Sequence, residues 1–460
     1  MKKVIISSLL FLLFTNAYSQ QLWGTMQLGG PSGTGIIYHM NYDGTGFAAA
    51  AGFAGNSPQG NLLSYNGYLY GVSVAGGTHI RGDIFKYQSA SGVYTSFFSM
   101  DSASGYYPRG SLFLASNGKM YGVNGNGGAS NFGTLFSFDP VNNIYTKLVD
   151  FVNTNGKYPQ GNVIEYSGKL YGMTTSGGTS SGGVIFSYEL STGIFLVEHD
   201  FSFTDGFTPW GSFIIWNSML YGMTFGGGTM GYGNIIQFDP ATSAVTTVHN
   251  FDGTNGGAPI SSLCIAGNSL MYGMTQQGGV SNKGVIFSFN TSGNIFIKLH
   301  DFNTTDGASP NGSLMQASNG KLYGTTYSGG LNSVGTVFNY DIGSSQFTKV
   351  HDCSLAAGGF PGADLLEFNG ATSIKENLLQ QSILIYSNPV ESILKFLLPE
   401  KSDNISIKII SSDGNVVYNQ SCQTNDNREA KISIGNITSG NYFLNVISGN
   451  TIYTAKFIKQ

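Results

Sequence analysis

The chain has 460 residues, of which 10% are charged and 13% aromatic, and its formal net charge is −4. Few charges combined with many aromatic residues and 66 glycines predict a packed, loop-rich β protein and exclude a disordered chain. No run of lysine and arginine occurs, so we expect no nucleic acid partner.

The N-terminal segment, MKKVIISSLLFLLFTNAYSQ, has two lysines, an apolar core from Val4 to Phe14, and small residues at Ala17 and Ser19. This order is typical of a secretory signal peptide, and we predict residues 1–19 as that signal. A membrane anchor is the alternative, but the apolar core is shorter than the ~20 residues that span a bilayer. No later stretch is apolar enough either, so the sequence predicts no transmembrane segment.

A tandem repeat follows. An aromatic residue precedes glycine at Trp23, Tyr70, Tyr121, Tyr171, Tyr221, Tyr272 and Tyr323. The successive spacings are 47, 51, 50, 50, 51 and 51 residues, and a Gly-Gly pair follows each aromatic residue after six positions. Such a period is typical of repeat architectures.

Each repeat contains four short apolar runs, for example at 162–166, 169–174, 183–188 and 194–201. Their length and their content of Val, Ile, Phe and Tyr predict strands. Four antiparallel strands per repeat are typical of a β-propeller blade. A second marker, a glycine three residues before a proline, also occurs seven times, from Gly55/Pro58 to Gly358/Pro361.

The two ends of the repeat region complete one another. The run ADLLEFNG stops at Gly370, where the next repeat would continue with an LYG-like segment, and QLWG at Gln21–Gly24 supplies that segment. One blade would then take strands from both ends, which leaves no free sheet edge. We therefore predict an all-β fold in which residues 20–370 form a seven-bladed β-propeller.

The repeated Tyr-Gly pair lies inside a predicted strand, where glycine normally weakens the structure. We expect another backbone or ring to approach the glycine closely and the tyrosine to pack between blades. The pattern LYGMT…GG…G-x-[IL]-F resembles the Gly- and Tyr-rich repeats called GloVer in secreted bacterial proteins. That resemblance covers about 350 residues and implies no activity.

The composition changes after Gly370. Residues 371–382 are polar and predict a linker, and six or seven strand-like runs from Ile383 onward predict a small β-sandwich at 383–460. This module resembles the C-terminal sorting domain of type IX secretion, through Tyr386, Asn388, Pro389, Gly414, Gly440 and Tyr442. Such domains commonly begin with Tyr-Pro-Asn-Pro, and Ser387 replaces the first proline here. The resemblance implies that type IX machinery is a partner and that the protein is secreted or placed on the outer cell surface.

Metal and cofactor sites are not expected. Cys264, Cys353 and Cys422 form neither a disulfide framework nor a metal-binding pattern. His199, His249, His300 and His351 recur at one register, but we place them on the outermost strand of each blade. With strands ~4.8 Å apart, equivalent outer residues are too distant to meet on a zinc ion, whose ligands lie at about 2 Å. We expect these histidines to hydrogen-bond at a strand end.

Catalytic motifs are absent as well. Unrepeated polar residues occur as His79, Arg81 and Asp83 in one loop and as Asp101 and Arg109 in another. No P-loop, zinc-protease or nucleophile-elbow motif accompanies them. We therefore assign no catalytic residue and expect a protein that is not an enzyme.

The links that differ most between repeats suggest a binding face. They connect the second and third strands and join successive blades, so alternate connections place them on one side of the propeller. Their aromatic residues are Tyr106, Tyr107, Phe132, Tyr158, Phe207, Trp210, Phe225, Tyr232 and Tyr327. Neutral rings beside Asn, Ser and Asp suit stacking on a glycan or anchoring a protein ligand; alternatively, they only cover loop backbone.

The sequence thus predicts a secreted or cell-surface binding and display module. A polysaccharide-active hydrolase or lyase using the same face is the first alternative, and a purely structural surface protein is the second.

Overall fold

The computed structural model describes residues 20–53, 57–368, 379–382, 385–386, 390–398, 405–411, 416–425, 428–448 and 451–460. None of these residues lies in a helix. The chain divides into two compact units, Met1–Gly370 and Ala371–Gln460. The predicted signal peptide, and the sorting-motif residues Asn388, Pro389 and Gly414, lie outside the described residues.

The first unit consists of seven antiparallel sheets, called blades 1 to 7 in chain order of their aromatic-Gly strands. Blade 1 contains β1 (Gln21–Met26), β2 (Ile36–Met40), β3 (Ala48–Gly52) and one strand from the far end of the unit. Blade 2 contains β4 (Leu63–Tyr65), β5 (Tyr68–Ser73), β6 (Asp83–Gln88) and β7 (Val93–Ser99). Blade 3 contains β8 (Phe113–Leu114), β9 (Met120–Asn124), β10 (Thr134–Asp139) and β11 (Ile144–Asp150).

The remaining blades repeat this order, and two of them gain a short extra strand. Blade 4 contains β12 (Lys157–Pro159), β13 (Ile164–Tyr166), β14 (Lys169–Ser176), β15 (Val184–Glu189) and β16 (Phe195–Asp200). Blade 5 contains β17 (Ile214–Trp216), β18 (Met219–Thr224), β19 (Asn234–Asp239) and β20 (Ala244–Asn250). Blade 6 contains β21 (Cys264–Ile265), β22 (Met271–Thr275), β23 (Val285–Asn290) and β24 (Ile295–Asp301). Blade 7 contains β25 (Ala308–Pro310), β26 (Met315–Gln316), β27 (Leu322–Ser328), β28 (Thr336–Asp341) and β29 (Gln346–Asp352).

Strand β30 (Leu366–Phe368) closes the propeller by pairing antiparallel with β1 of blade 1. Trp23 lies opposite Leu366 and Gln21 opposite Phe368. The all-β propeller is confirmed, and the seven sheets agree with the predicted number of blades. Strand β1 is therefore paired on both sides, with β2 and with β30, so blade 1 takes strands from both ends of the unit.

A ring of hydrogen bonds joins the inner ends of all seven blades. Its members, called the channel ring, are Asn61, Ser111, Asn162, Ser212, Ser262, Ser313 and Asp364. Each backbone N–H donates to the side-chain oxygen of the next member, and six of these bonds measure 2.5–2.9 Å. The seventh joins Ser111 to Asn162. The Asp364 N–H donates to Asn61 Oδ1 at 2.7 Å and so closes the ring across 303 residues.

Backbones approach closely around this ring, which explains the glycine that precedes most of its members. A Cβ atom added at Gly312 would lie 2.5 Å from the Ala363 carbonyl oxygen of the next blade, and one at Gly60 would lie 2.7 Å from that of Gly110. Glycine therefore lets neighbouring blades meet at the channel.

The glycine of the Tyr-Gly pair has a different neighbour. A Cβ at Gly122 would lie 2.5 Å from Cζ of Phe136 on the adjacent strand, which confirms that a ring approaches this glycine. The tyrosines pack between blades as expected: Tyr70 of blade 2 is 3% exposed and shares a hydrophobic cluster with Met120 and Phe138 of blade 3.

The second unit is a β-sandwich, as predicted. Its larger sheet contains β31 (Leu379–Ser382), β34 (Ile405–Ser411), β35 (Val416–Cys422), β37 (Gly440–Ser448) and β38 (Thr451–Lys459). Its smaller sheet contains β32 (Ile385–Tyr386), β33 (Ile393–Leu397) and β36 (Glu429–Ser433). One core joins them, with Leu394 and Phe396 of the smaller sheet packed with Ile407 and Leu444 of the larger one.

The channel ring predicts a pH effect at Asp364. Burial raises the pKa of the Asp364 carboxyl above its usual value, although hydrogen bonds from Ser313 and Asn61 act in the opposite direction. An acid with a raised native pKa costs stability as pH rises from its unfolded pKa, about 3.9, to its native one. The free energy of unfolding of the wild type, relative to Asp364→Asn, should therefore fall over that interval and then level off in denaturant titrations.

Asp364→Leu is the companion variant, because it removes the oxygen that accepts from the Ser313 N–H. Leaving that donor unpaired should cost about 1–3 kcal/mol relative to Asp364→Asn at neutral pH. Equal stability of the two variants would contradict a structural role for the channel ring.

The strand glycines give a second prediction with an internal control. Gly122→Ala should destabilise by about 1–3 kcal/mol, because its methyl group overlaps the Phe136 ring. Gly222 occupies the same position in blade 5 but lies opposite Ile236. The atom nearest to a Cβ added there would be a ring carbon of Phe213, at 3.1 Å. Thermal unfolding should show a clearly smaller loss for Gly222→Ala, and equal losses would refute this explanation.

Candidate ligand-binding site

The two kinds of variable link meet on one face of the propeller. The residue before the marker proline donates its N–H to a loop between the second and third strands of the preceding blade. Tyr158 donates to Phe132 at 2.8 Å, and Phe360 donates to Val334 at 2.7 Å. Equivalent bonds start at Tyr107, Thr208, Ala258 and Ser309. This confirms that both kinds of link lie on the same face.

These pre-proline residues have a left-handed backbone. The φ angle is 65° at Tyr107 and 55° at Tyr158, and it is also positive at Thr208, Ala258, Ser309 and Phe360. Such angles cost about 1–3 kcal/mol for a bulky residue and persist only where neighbours hold them. The repeated conformation therefore fixes the next residues of each link in the same direction in six blades.

The residue after the proline points to the mouth of the central channel. This position, called the mouth ring, holds Gln59, Arg109, Gln160, Trp210, Ile260, Asn311 and Gly362. With Gln27 and the channel ring, these residues line a cavity of about 110 Å³. The channel ring repeats Ser, Asn and Asp, whereas the mouth ring differs in chemistry from blade to blade. On this face, the side chains that differ in chemistry between blades therefore include those of the mouth ring.

Two predicted site residues come together around Arg109. The guanidinium lies 4.9 Å from the centre of the Tyr107 ring and 5.7 Å from that of Trp210. It donates from Nη2 to the Tyr107 hydroxyl at 3.4 Å. Arg109 forms no ion pair within the described parts of the chain. In the part of the chain that the structure describes, Arg109 Nε and Gln160 Oε1 are both buried without a hydrogen-bond partner.

The other predicted aromatic residues pack mainly against their neighbours. Phe132 and Tyr158 form an edge-to-face pair at 5.6 Å. The Tyr106 hydroxyl donates to Asn131 at 3.0 Å, and the Arg81 guanidinium lies 4.3 Å from the ring centre. These contacts support the loops and leave little ring surface free.

The remaining four are distributed around the face. Phe207 stacks on Phe203 at 5.6 Å, and Tyr327 packs on Phe360 at 5.1 Å. Phe225 is half-buried, and Tyr232 is 45% exposed. Of the nine predicted aromatic residues, Tyr232 is exposed and the other eight are half-buried.

The repeated histidines lie on the outer strands, and three of the four stack on a ring of the next blade. His249 lies 4.0 Å from Phe296, His300 lies 3.9 Å from Phe347, and both ring pairs are nearly parallel. His300 also contacts Asp306, 3.1 Å from its Nε2, and burial lowers the pKa of His300. No group of three or more metal-ligating side chains was found among the described residues.

Two of the polar loop residues, Asp83 and His79, lie in different surroundings. Asp83 starts β6 and is 1% exposed, and it accepts a hydrogen bond from the Tyr94 hydroxyl at 3.1 Å. Burial raises its pKa. His79, by contrast, is exposed, so the loop that holds both residues does not bring them into one site.

The sequence analysis missed the amides of the mouth ring, Gln59, Gln160 and Asn311. A signal was available in the repeated pattern Pro-x-Gly-[Asn/Ser], because its second position is the only strongly variable one in most repeats. Comparing repeats position by position would have selected these residues.

In the sandwich, three sorting-motif residues are described. Tyr386 belongs to β32, and Gly440 begins β37. Tyr442 is 4% exposed, its hydroxyl donates to the Thr438 carbonyl at 2.8 Å, and its ring stacks on Phe457 at 5.7 Å. Tyr442 therefore supports the fold of this unit.

Comparison with family models gives two matches. The Gloeobacter/Verrucomicrobia repeat matches residues 12–184 and 159–373. The secretion system C-terminal sorting domain matches residues 384–460. No curated protein matches the chain. Within the described part of the chain, no helix is long and apolar enough to cross a membrane.

Solved structures share the fold at low sequence identity. A candidate 6-phosphogluconolactonase from Bacteroides uniformis is 12% identical, with a TM-score of 0.53, over 74% of this chain and 97% of that one. A protein from Lactobacillus plantarum is 14% identical, with a TM-score of 0.52, over 76% of this chain and 99% of that one. At these identities the similarity concerns the fold alone.

Proposed function

The chain belongs to the Gloeobacter/Verrucomicrobia repeat family and ends in a type IX secretion sorting domain, and from this premise we propose that its propeller is a non-catalytic module that binds glycans. The sorting domain directs the protein to the cell surface. A signal peptide at residues 1–19 would carry it across the inner membrane first. The propeller would then bind its ligand outside the cell.

The arrangement of the channel mouth carries this proposal. The rings of Trp210 and Tyr107 lie near the Arg109 guanidinium, and Trp210 lines the cavity together with the amides of Gln59, Gln160 and Asn311. Aromatic faces pack on the C–H faces of sugars, and amides exchange hydrogen bonds with hydroxyl groups. Neutral, polar and aromatic groups together suit a glycan.

The size of the cavity limits what can enter it. Its volume of about 110 Å³ is smaller than the ~300–1,000 Å³ of sites that enclose whole drug-sized ligands. An end group or a single sugar residue would enter the mouth, and the rest of the glycan would lie across the variable links.

The number of carboxylates near the mouth favours binding over hydrolysis. Glycosidases generally need two carboxyl groups about 5–9.5 Å apart. Asp364 is the one carboxylate among the residues that line the cavity, and its two oxygens accept hydrogen bonds from Ser313 and Asn61 at 2.5 Å. A group held in this way is poorly placed to transfer protons to a ligand.

A protein ligand is the second candidate, and exposed apolar residues on the same face favour it. Ile80 is 76% exposed, Met230 65%, Val280 86% and Leu331 83%. Each lies in a loop between the second and third strands of a blade. Large exposed apolar side chains are common where a protein partner docks.

A glycan array probed with the mature chain, residues 20–460, tests the proposed function. Trp210→Ala should weaken binding to any glycan hit about tenfold or more, since loss of a central aromatic contact costs about 2 kcal/mol. Tyr232→Ala, an aromatic change on the same face but outside the mouth, should change affinity by less than about threefold, and thermal unfolding would check that both variants fold. Absence of glycan binding would contradict the proposal, and glycan turnover would overturn its non-catalytic part.

A further inference from the structure

The mouth ring contains one charged side chain that has no opposite charge. Arg109 is the only basic residue among those that line the cavity, and within the described residues no carboxylate lies in ion-pair distance of it. A guanidinium is always charged, and partly buried charges are usually paired. The chain as a whole carries a net charge of −4, whereas the Arg109 side chain in the mouth ring is positive.

The position of Arg109 is held by its neighbours. Its side chain starts in the link to blade 3, contacts Tyr107 of the same link, and reaches Trp210 of the link to blade 5. Gln160 supplies the mouth-ring side chain from the blade in between. The guanidinium therefore lies near two rings, and its Nη2 donates a hydrogen bond to the Tyr107 hydroxyl at 3.4 Å.

Two unpaired polar atoms show what a ligand would need. Arg109 Nε is a buried donor and Gln160 Oε1 a buried acceptor, and neither has a hydrogen-bond partner among the described residues. A carboxylate can accept two parallel hydrogen bonds from one edge of a guanidinium. A hydroxyl group beside that carboxylate could donate to Gln160 Oε1. An acidic sugar carries both groups on one ring, and its C–H faces suit Trp210 and Tyr107.

We propose that the channel mouth binds the carboxylate of an acidic sugar, a uronate residue of a glycan, through Arg109. This inference rests on the proposed glycan-binding function and specifies its ligand. Asp364 lines the same cavity, and its two oxygens already accept hydrogen bonds from Ser313 and Asn61. Trp210 would contribute to binding of acidic and neutral sugars alike, whereas Arg109 would distinguish them.

Titration calorimetry on the mature chain, with trigalacturonate and its methyl ester as probes, tests this assignment. The two probes share the same sugar backbone and differ in charge. The wild type should bind the uronate about 10- to 100-fold more tightly than the ester, as expected for hydrogen bonds to a charged group. The preference should decrease at high salt, because screening weakens exposed charge pairs.

Arg109→Gln should remove the preference, by lowering the affinity for the uronate to that for the ester. Arg81→Gln is the matched control: it removes the same charge from the same face, where Arg81 covers the Tyr106 ring. The preference should survive in that variant, whereas its loss in both would show general charge attraction and overturn the assignment.

The two proposals fail in different ways. Equal wild-type affinity for uronate and ester would overturn the acidic-sugar assignment and leave glycan binding standing. Binding of neither probe, together with a blank glycan array, would overturn both.

Discussion

The closed channel ring is the interaction on which the rest of the propeller depends. Each of its seven bonds contributes only about 1 kcal/mol net, but a buried N–H that loses its acceptor costs more than that. Each member donates to the next and accepts from the previous one. The ring can therefore be complete only when the last member, Asp364, reaches the first, Asn61. Pairing of β30 with β1 brings those two ends together.

The same ring positions the candidate site. Each mouth-ring residue lies between a proline, which fixes its own φ, and a glycine or small residue that allows the blades to approach. The channel ring holds the position that follows. The channel ring thus supports the mouth-ring side chains, among them Arg109, Gln160 and Trp210. Repeat folds commonly present variable residues on a fixed framework of this kind. Three of the four outer-strand histidines stack on a ring of the next blade, so packing accounts for their repetition.

Much of the fold could be predicted from the sequence because its signals are local. The Tyr-Gly pairs and the prolines recur in nearly fixed register, and the missing LYG-like segment after Gly370 pointed to Gln21–Gly24. The site was predicted less completely, because ring orientation depends on tertiary neighbours. Trp210 lines the channel mouth, but Phe207, three residues earlier, stacks on Phe203. Arg109 meets a ring two blades away, and no local pattern reveals such a contact.

Hydrogen exchange on the full chain tests the closed ring most directly. Amides of one cooperative ring should open together, with free energies close to that of global unfolding. Peptides that contain Asp364 and the closing strand Leu366–Phe368 should then be as strongly protected as the peptide that contains Ser212, half-way around the ring. Fast exchange at Asp364 and Leu366–Phe368, with Ser212 still protected, would show that the ends separate on their own and would contradict the closed ring.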